Sequence, residues 1–392
     1  MSAENNKKQK IPAFMEIFSK IKPKIELGTA MLSIMVTEGP CINRFIILFS
    51  LIGNLVNIIC AVSFAISDFD GHLTANYIKC LLFLSGYLQI AMKVLSTFIQ
   101  RKRLVPILEW SQSLHTNKDV DESTKEIIEE NLFQFMKICF YIYKTMLIIL
   151  VSFCALSYIL SLFADGDGIL YWYQFLVSSN LVYVPLAPVM QAILLGCPCC
   201  TSLYIDLCIL FIGLEIMAAL NILNQMIIAE EMSIEKSCNF LKIIAKRHCE
   251  VVTIINEFNS YTSILFLMHF ATTTPVLLLS FTSIQLNTND FLGYLIIAFA
   301  WGELLLLCLF GEFIKIKTEI LSQTLYLTNW YDMSVKDQKT YLLILRMMQR
   351  TSGLKAAGMY DINMNTFVQL TKAIISYCGL ILTLSEQTNK KY

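Results

Sequence analysis

The feature that most constrains this chain is a series of apolar runs too long for a water-soluble fold to hide. They cover residues 44–66, 77–98, 138–163, 260–284, 291–314 and 366–384. A helix needs about 20 mostly apolar residues to cross the hydrocarbon core of a bilayer. The last run is the shortest, and at ~1.5 Å per residue it just crosses. A seventh apolar region, 169–226, is too long for one span and carries Pro185, Pro188 and Pro198. Hydropathy alone permits one crossing there or two.

Charge chooses between them. Lys and Arg favour the cytosolic side of short loops. Segments 67–76, 164–187 and 285–290 carry neither residue. The N-terminus carries Lys7, Lys8, Lys10, Lys20, Lys22, Lys24 and Arg44. Segments 99–137, 225–259 and 315–365 are basic as well. Basic and non-basic loops alternate strictly only if 169–226 crosses once. The single crossing then begins near Pro188 and runs as one long helix toward Gln225, leaving the apolar part of 169–187 as a folded external loop. The expected fold is therefore an all-α polytopic membrane protein of seven transmembrane helices, with a cytosolic N-terminus and an extracellular C-terminus. In 234–258, Ile234, Cys238, Leu241, Ala245, Val252 and Ile255 recur at helical spacing between charges, so helices are expected to extend below the membrane and pack there.

Composition agrees. The chain is 56% hydrophobic and 15% charged, against about 45–50% and about 25% in soluble domains. Zero net charge gives a nucleic-acid partner no electrostatic support. Residues 1–24 are polar and basic with no apolar core of a signal peptide, so the first span is expected to act as the targeting signal. Most of the 13 Cys lie in apolar runs, where a thiol behaves as a small hydrophobe. The cluster Cys197-Pro198-Cys199-Cys200 lacks a second Cys/His pair at finger spacing, so no metal site is expected. The four His are scattered and no nucleophile–base constellation appears, so neither an enzyme nor a cofactor is expected.

Ionisable residues inside spans are costly. Lys93, Lys144 and Lys372 stand within two or three turns of cytosolic ends, where long side chains can snorkel. Asp206 and Glu215 read as low in the fourth span, near or below the interface. Glu303 is the exception, near the middle of span six. It must be protonated, paired or facing water. Span seven carries a polar or small stripe at 3-4-3-4-3 spacing: Thr366, Gln369, Ala373, Ser376, Leu380 and Thr383, with Leu384 beside its outer end. Such a face either packs tightly on neighbours or lines water. In a pore, the leucines would form a constriction that gates by dewetting.

The C-terminal third resembles the insect odorant receptor family. The resemblance rests on the succession Cys308-Leu-Phe-Gly311, Ser322, then Tyr326-Leu-Thr-Asn-Trp330. A basic amphipathic run at 339–350, Ala357-Gly358, Phe367 and Lys372-Ala-Ile-Ile-Ser-Tyr377 follow. Ile375 stands where the family usually has Tyr. Gln191 and Asp206 look like the Gln and Asp of the family's fourth helix.

The resemblance implies an odorant-gated cation channel acting as a heterotetramer with a shared co-receptor, and this chain looks like the ligand-tuned subunit. It implies a small volatile apolar odorant, membrane lipid around the bundle and a place in the plasma membrane of a sensory dendrite. The odorant would sit in the outer half of a six-helix bundle (44–314), among Phe83, Tyr87, Ser157, Tyr158, Met190, Tyr294 and Ile297. Cytosolic residues 1–43 would precede the bundle. A cytosolic helical anchor (315–365) would hold subunits together through Tyr326, Trp330, Leu342 and Leu345. The last helix and its short external tail (366–392) would line the pore, with the stripe of Thr366, Gln369, Ala373, Ser376, Leu380, Thr383 and Leu384.

Other seven-span or multi-span classes fit less well. A G-protein-coupled receptor has its N-terminus outside and would show Asp-Arg-Tyr and Asn-Pro-x-x-Tyr motifs. A gustatory receptor would end in a Thr-Tyr-hydrophobic-Gln-Phe signature, whereas nothing like Gln-Phe follows Ser376-Tyr377. A transporter would show broken helices in pairs, and an odd span count does not suit two equal inverted halves.

Overall fold

A computed structural model describes residues 41–67, 74–116, 122–163, 187–230, 237–287, 291–350 and 352–389. The external loop 164–186 and the segment 1–40 expected to be cytosolic lie outside the described residues. Nine α-helices run through the described chain: α1 Cys41–Ser67, α2 Ala75–Ile99, α3 Arg101–Thr116, α4 Glu122–Phe163, α5 Ala187–Glu230, α6 Ser237–Leu286, α7 Phe291–Tyr326, α8 Val335–Met348 and α9 Met364–Asn389. Strands β1 Lys355–Ala356 and β2 Tyr360–Asp361 form a small antiparallel hairpin.

Each apolar run falls inside one helix. By length and composition α2, α4, α5, α6 and α7 are sufficient to cross a membrane, and α1 is apolar over Leu51–Ser67. Of the ambiguous 169–226 region, residues 187–226 lie in one continuous helix, α5 from Ala187 to Glu230 with Pro198 inside it, as charge alternation expected for that stretch; residues 169–186 lie outside the described residues. The 50 residues of α6 extend roughly 75 Å at 1.5 Å per residue. A bilayer core accounts for only about 30 Å, so α6 continues well beyond the hydrocarbon core. α4, α5 and α7 are also longer than a span requires.

α5 is the central helix. From Ile205 to Ile227 its apolar side chains are buried almost all round, including Cys208, Phe211, Ile216, Ala219, Leu220 and Leu223. A helix apolar on every side belongs in the middle of a bundle. Gly213 lets it approach α7, because a β-carbon there would overlap the Phe310 ring. Polar ties hold the neighbours. The Asn57 side-chain amide donates to the Leu194 carbonyl at 2.7 Å, joining α1 to α5. Toward the C-terminal end of α5, Asn131 donates to Gln225 Oε1 (2.7 Å), Asn221 to Asn131 Oδ1 (3.1 Å) and Lys317 to Asn221 Oδ1 (2.7 Å). This chain of bonds links α4, α5 and α7.

Beyond its apolar run, α7 ends at Tyr326 and a 3-10 turn, Trp330–Asp332, leads to α8. Ser334 caps α8 by accepting from the Asp337 amide at 3.2 Å. One face of α8 is buried through Tyr341, Ile344, Leu345 and Met348. Trp330 stacks on Tyr341 at 5.7 Å between centroids, and the Tyr341 hydroxyl donates to the Leu325 carbonyl. Burial pushes the Tyr341 pKa up, opposed by its hydrogen bond with Thr328.

Candidate functional site: a charged crossing and an outward polar face

Four helices meet at a buried ionic cluster. Lys93 of α2 is 1% exposed. Its Nζ donates to both Asp206 carboxylate oxygens of α5 at 2.9 Å, to Ser202 at 3.1 Å and to Glu303 Oε1 of α7 at 2.6 Å. His269 of α6 stands 3.7 Å from Glu303 through Nδ1, and that nitrogen is 2.8 Å from the Gln89 amide. Gln89 also donates to Thr273 at 3.4 Å. The side chains of Asp206 and Glu303 are 38% and 22% exposed, while Lys93 is sealed.

This corrects one expectation. Lys93 does not snorkel. A lysine held by two carboxylates in the apolar interior satisfies its charge locally, which is cheaper than leaving two buried carboxylates unpaired. Asp206 shares that ammonium with Glu303, so the two carboxylates stand at one level of the bundle. Glu303 takes the paired option of the three the sequence allowed.

The candidate pocket residues are only partly gathered. Phe83 and Tyr87 pack with Cys60, Ala61, Cys80 and Leu194, their rings 6.3 Å apart. Tyr87 lies less than two turns above Lys93 on the same helix. Ile297 is half-buried in a different cluster with Leu82, Val276, Leu277, Ala300 and Ile374, so it touches the last helix's neighbourhood. Tyr158, Met190 and Tyr294 are exposed. The Ser157 side chain lies outside the described residues. A void of about 10 Å³ lies elsewhere, between α4 and α5, lined by Leu132, Phe135, Met136, Cys139, Phe211, Leu214, Glu215 and Ala218. That is room for about one water.

The stripe on α9 points away from its own bundle. Gln369, Ala373, Ser376, Leu380 and Thr383 are exposed, and Thr366 is half-buried. The opposite face is the packed one: Ile374 is buried, and Phe367 and Leu370 lie against the main core. Packing against helices of the same chain is therefore ruled out for the exposed stripe residues. Thr366 has a local duty as well, donating to the Asp361 carbonyl at 2.6 Å. The Leu384 side chain lies outside the described residues. Lys372 is exposed and flanks this face.

The anchor residues divide. Tyr326 and Leu342 are exposed, while Leu345 is buried and Trp330 half-buried against the chain's own core. Leu327, Tyr331, Val335, Leu343 and Met347 add exposed apolar surface beside Tyr326 and Leu342. Among the described residues no group of three or more His, Cys, Asp or Glu is placed to hold a metal.

The family model described as 7tm Odorant receptor matches residues 74–375. The chain belongs to the odorant receptor family. It is 23% identical over 151 residues to the odorant receptor coreceptor of Harpegnathos saltator, covering 37% of this chain and 31% of that one. It is 27% identical over 127 residues to odorant receptor 22c of Drosophila melanogaster, covering 32% and 31%. The matched stretches thus span about a third of these curated relatives. In three dimensions the likeness is wider. The insect olfactory receptor OR5 of Machilis hrabei, solved in complex with eugenol, superposes with a TM-score of 0.77 at 15% identity over 95% of this chain and 99% of that one. A second structure of the same receptor gives 0.76 at 14% identity. This odorant receptor is a polytopic, all-α membrane protein.

The ionic cluster could not be found in the sequence by looking at charges singly. Lys93 lies 113 residues from Asp206 and 210 from Glu303, and the signal was that the three each occur in a different apolar run.

Proposed function

We propose that this chain is the ligand-tuned subunit of an odorant-gated cation channel in the plasma membrane of olfactory neurons, assembled with the shared co-receptor. One observation carries the reading. The last helix turns a polar stripe away from its own bundle while its apolar face is buried. A lone chain in lipid would not present Gln369, Ser376 and Thr383 outward. Symmetry-related copies around a central axis would supply water for them. Leu380, exposed on the same face, is the candidate constriction.

The ligand is a small volatile with an apolar body. Phe83, Tyr87 and Ile297 supply apolar and aromatic surface above the charged crossing. Burying roughly 250 Å² at ~25 cal/mol/Å² gives about 6 kcal/mol. Ordering costs leave micromolar affinity as the natural range. Opening requires the ligand to bind the open arrangement better than the shut one, since equal affinity shifts nothing.

The test is electrical. Whole-cell currents are recorded from cells expressing the chain with and without the co-receptor, against a panel of volatile esters, alcohols and phenylpropanoids. Co-receptor-dependent cation current evoked by a panel member supports the reading. Current evoked without the co-receptor, or none with it at normal surface abundance, counts against it. Leu380→Ser should raise resting current. An unchanged leak and an unchanged dose response would remove Leu380 from the gate.

A further inference from the structure

The base of the pore helix is seated on α7. Glu312, half-buried on α7, accepts from the backbone amide of Met364 at 3.2 Å. Met364 is the first residue of α9. A helix's first amides have no partner within the helix and carry the positive end of its dipole, so a carboxylate is the natural acceptor there. One residue earlier, Gly311 is buried against the chain leading into α9. A β-carbon on Gly311 would overlap the carbonyl oxygen of Ile362. Ile362 is buried, and its amide bonds the Leu354 carbonyl at 2.9 Å. The hairpin that ends at Ile362 is itself fixed to α6. Lys355 N donates to Asn259 Oδ1 at 2.6 Å and Ala357 N to the Ser263 carbonyl at 3.0 Å. Its three-residue loop between Ala356 and Tyr360 uses positive φ at Ala357 and Gly358, 50° and 71°, and the Met359 amide closes the turn on the Ala356 carbonyl at 3.1 Å.

Above this seat, α9 touches its bundle through one apolar face only, with Phe367, Leu370 and Ile374. α7 is unbroken from Phe291 to Tyr326. It carries Ile297 in the candidate pocket, Glu303 in the ionic crossing, and Gly311 and Glu312 at the seat. A rigid helix that moves at the pocket moves at the seat.

We propose that Glu312 is a positioning residue for gating: its carboxylate, hydrogen-bonded to the first amide of α9, makes α7 the element that transmits ligand occupancy to the pore helix. The inference rests on the channel reading above and adds the route of coupling. Asn363 caps α9 through its own side chain, accepting from the Thr366 amide at 2.9 Å. Losing Glu312 therefore detaches the helix from α7 without removing its cap.

The two partners can be deleted independently. Glu312→Ala removes the acceptor. Met364→Pro removes the donor at a first helical position, where proline is well tolerated. Glu312→Gln keeps an acceptor oxygen. Each variant is expressed with the co-receptor, its surface abundance is measured, and the ratio of panel-evoked to resting current is read. Glu312→Ala and Met364→Pro should each lower that ratio about five-fold or more, which is the scale of one such hydrogen bond. The double variant should fall no further than the singles, because both remove one interaction. Glu312→Gln should stay within about two-fold of wild type. Ion selectivity should be unchanged in all.

Unchanged ratios at normal surface abundance, or additive losses in the double variant, overturn the proposal. If Glu312→Ala does not reach the surface, Met364→Pro decides alone. Hydrogen–deuterium exchange on the purified complex needs no ligand. Glu312→Ala should speed exchange in the first turn of α9 and leave α8 unaltered, and unchanged exchange there also overturns the seat. A wild-type chain that passes no evoked current with the co-receptor sinks the channel reading, and the seat is then judged on exchange.

Discussion

Lys93 shows how much one side chain can decide inside a membrane bundle. It is the cation between Asp206 and Glu303, and it ties α2 to α5 and α7. Lys93→Met would leave two partly buried carboxylates facing each other. Breaking one side of a buried ion pair typically costs about 3–5 kcal/mol. The expected result is a large loss of monodisperse protein in fluorescence-detected size exclusion, with the melting temperature in detergent lowered. Neutralising the whole set, with Lys93→Met, Asp206→Asn and Glu303→Gln together, should restore most of it, because no lone charge then remains buried. If the triple variant is as poor as the single, the cluster acts through shape rather than charge.

His248, on the part of α6 that precedes the apolar run 260–284, makes a second residue-scale prediction. It is buried, and burial holds its pKa below the ordinary histidine value. In the unfolded chain a histidine titrates near about pH 6.5. As pH falls below that, the unfolded chain takes up a proton that the folded chain declines, so stability is lost until the lowered folded pKa is passed. Melting temperature in detergent should therefore drop as the medium is acidified from neutrality. His248→Gln, which takes up no proton in either state, should make that drop shallower. An equal drop in the variant would assign the pH dependence to other groups.

The helices themselves were legible wherever apolar length set them. Run 44–66 lies inside α1, 77–98 inside α2, 260–284 inside α6 and 366–384 inside α9. Charge alternation then chose one crossing for α5, and the unbroken helix from Ala187 to Glu230 agrees. What hydropathy could not show is where helices stop below the membrane, because water-facing and protein-facing turns alternate there without a length rule. The hairpin was illegible for a related reason. Two-residue strands carry no period, and Ala357-Gly358 looked only like a motif before the last span. Its seat against α7 depends on Gly311, whose missing side chain admits the Ile362 backbone. Gly311→Ala should force that backbone away from α7. The variant should lose about 1–3 kcal/mol of stability, seen as a lower melting temperature in detergent, with faster exchange at the start of α9. Unaltered exchange there would show that the hairpin absorbs a methyl without moving the helix.

At the level of the whole molecule, the described surface is unfinished in two places at once. α9 presents a wet face with no water-filled partner in its own chain, and the region below the membrane presents Tyr326, Leu327, Tyr331, Val335, Leu342, Leu343 and Met347. Apolar side chains on a segment outside the lipid mark a protein interface. Under the proposed channel reading both surfaces would be completed by one arrangement, in which copies of this fold surround an axis along α9 and meet through α8 and the end of α7. The four anchor residues read from sequence then separate into two kinds. Leu342→Asp or Tyr326→Ser should weaken assembly while the chain still folds, giving a shift from tetramer toward smaller species in native electrophoresis at an unchanged single-chain melting temperature. Leu345→Asp should do the reverse, because Leu345 is buried in its own chain's core with Tyr341 and Ile344. A buried unpaired carboxylate there should cost several kcal/mol and remove the protein from the membrane before assembly can be scored. If Leu342→Asp left the tetramer intact while Leu345→Asp dissociated it without unfolding, the face of α8 that meets the neighbour would be the opposite of the one its exposure indicates.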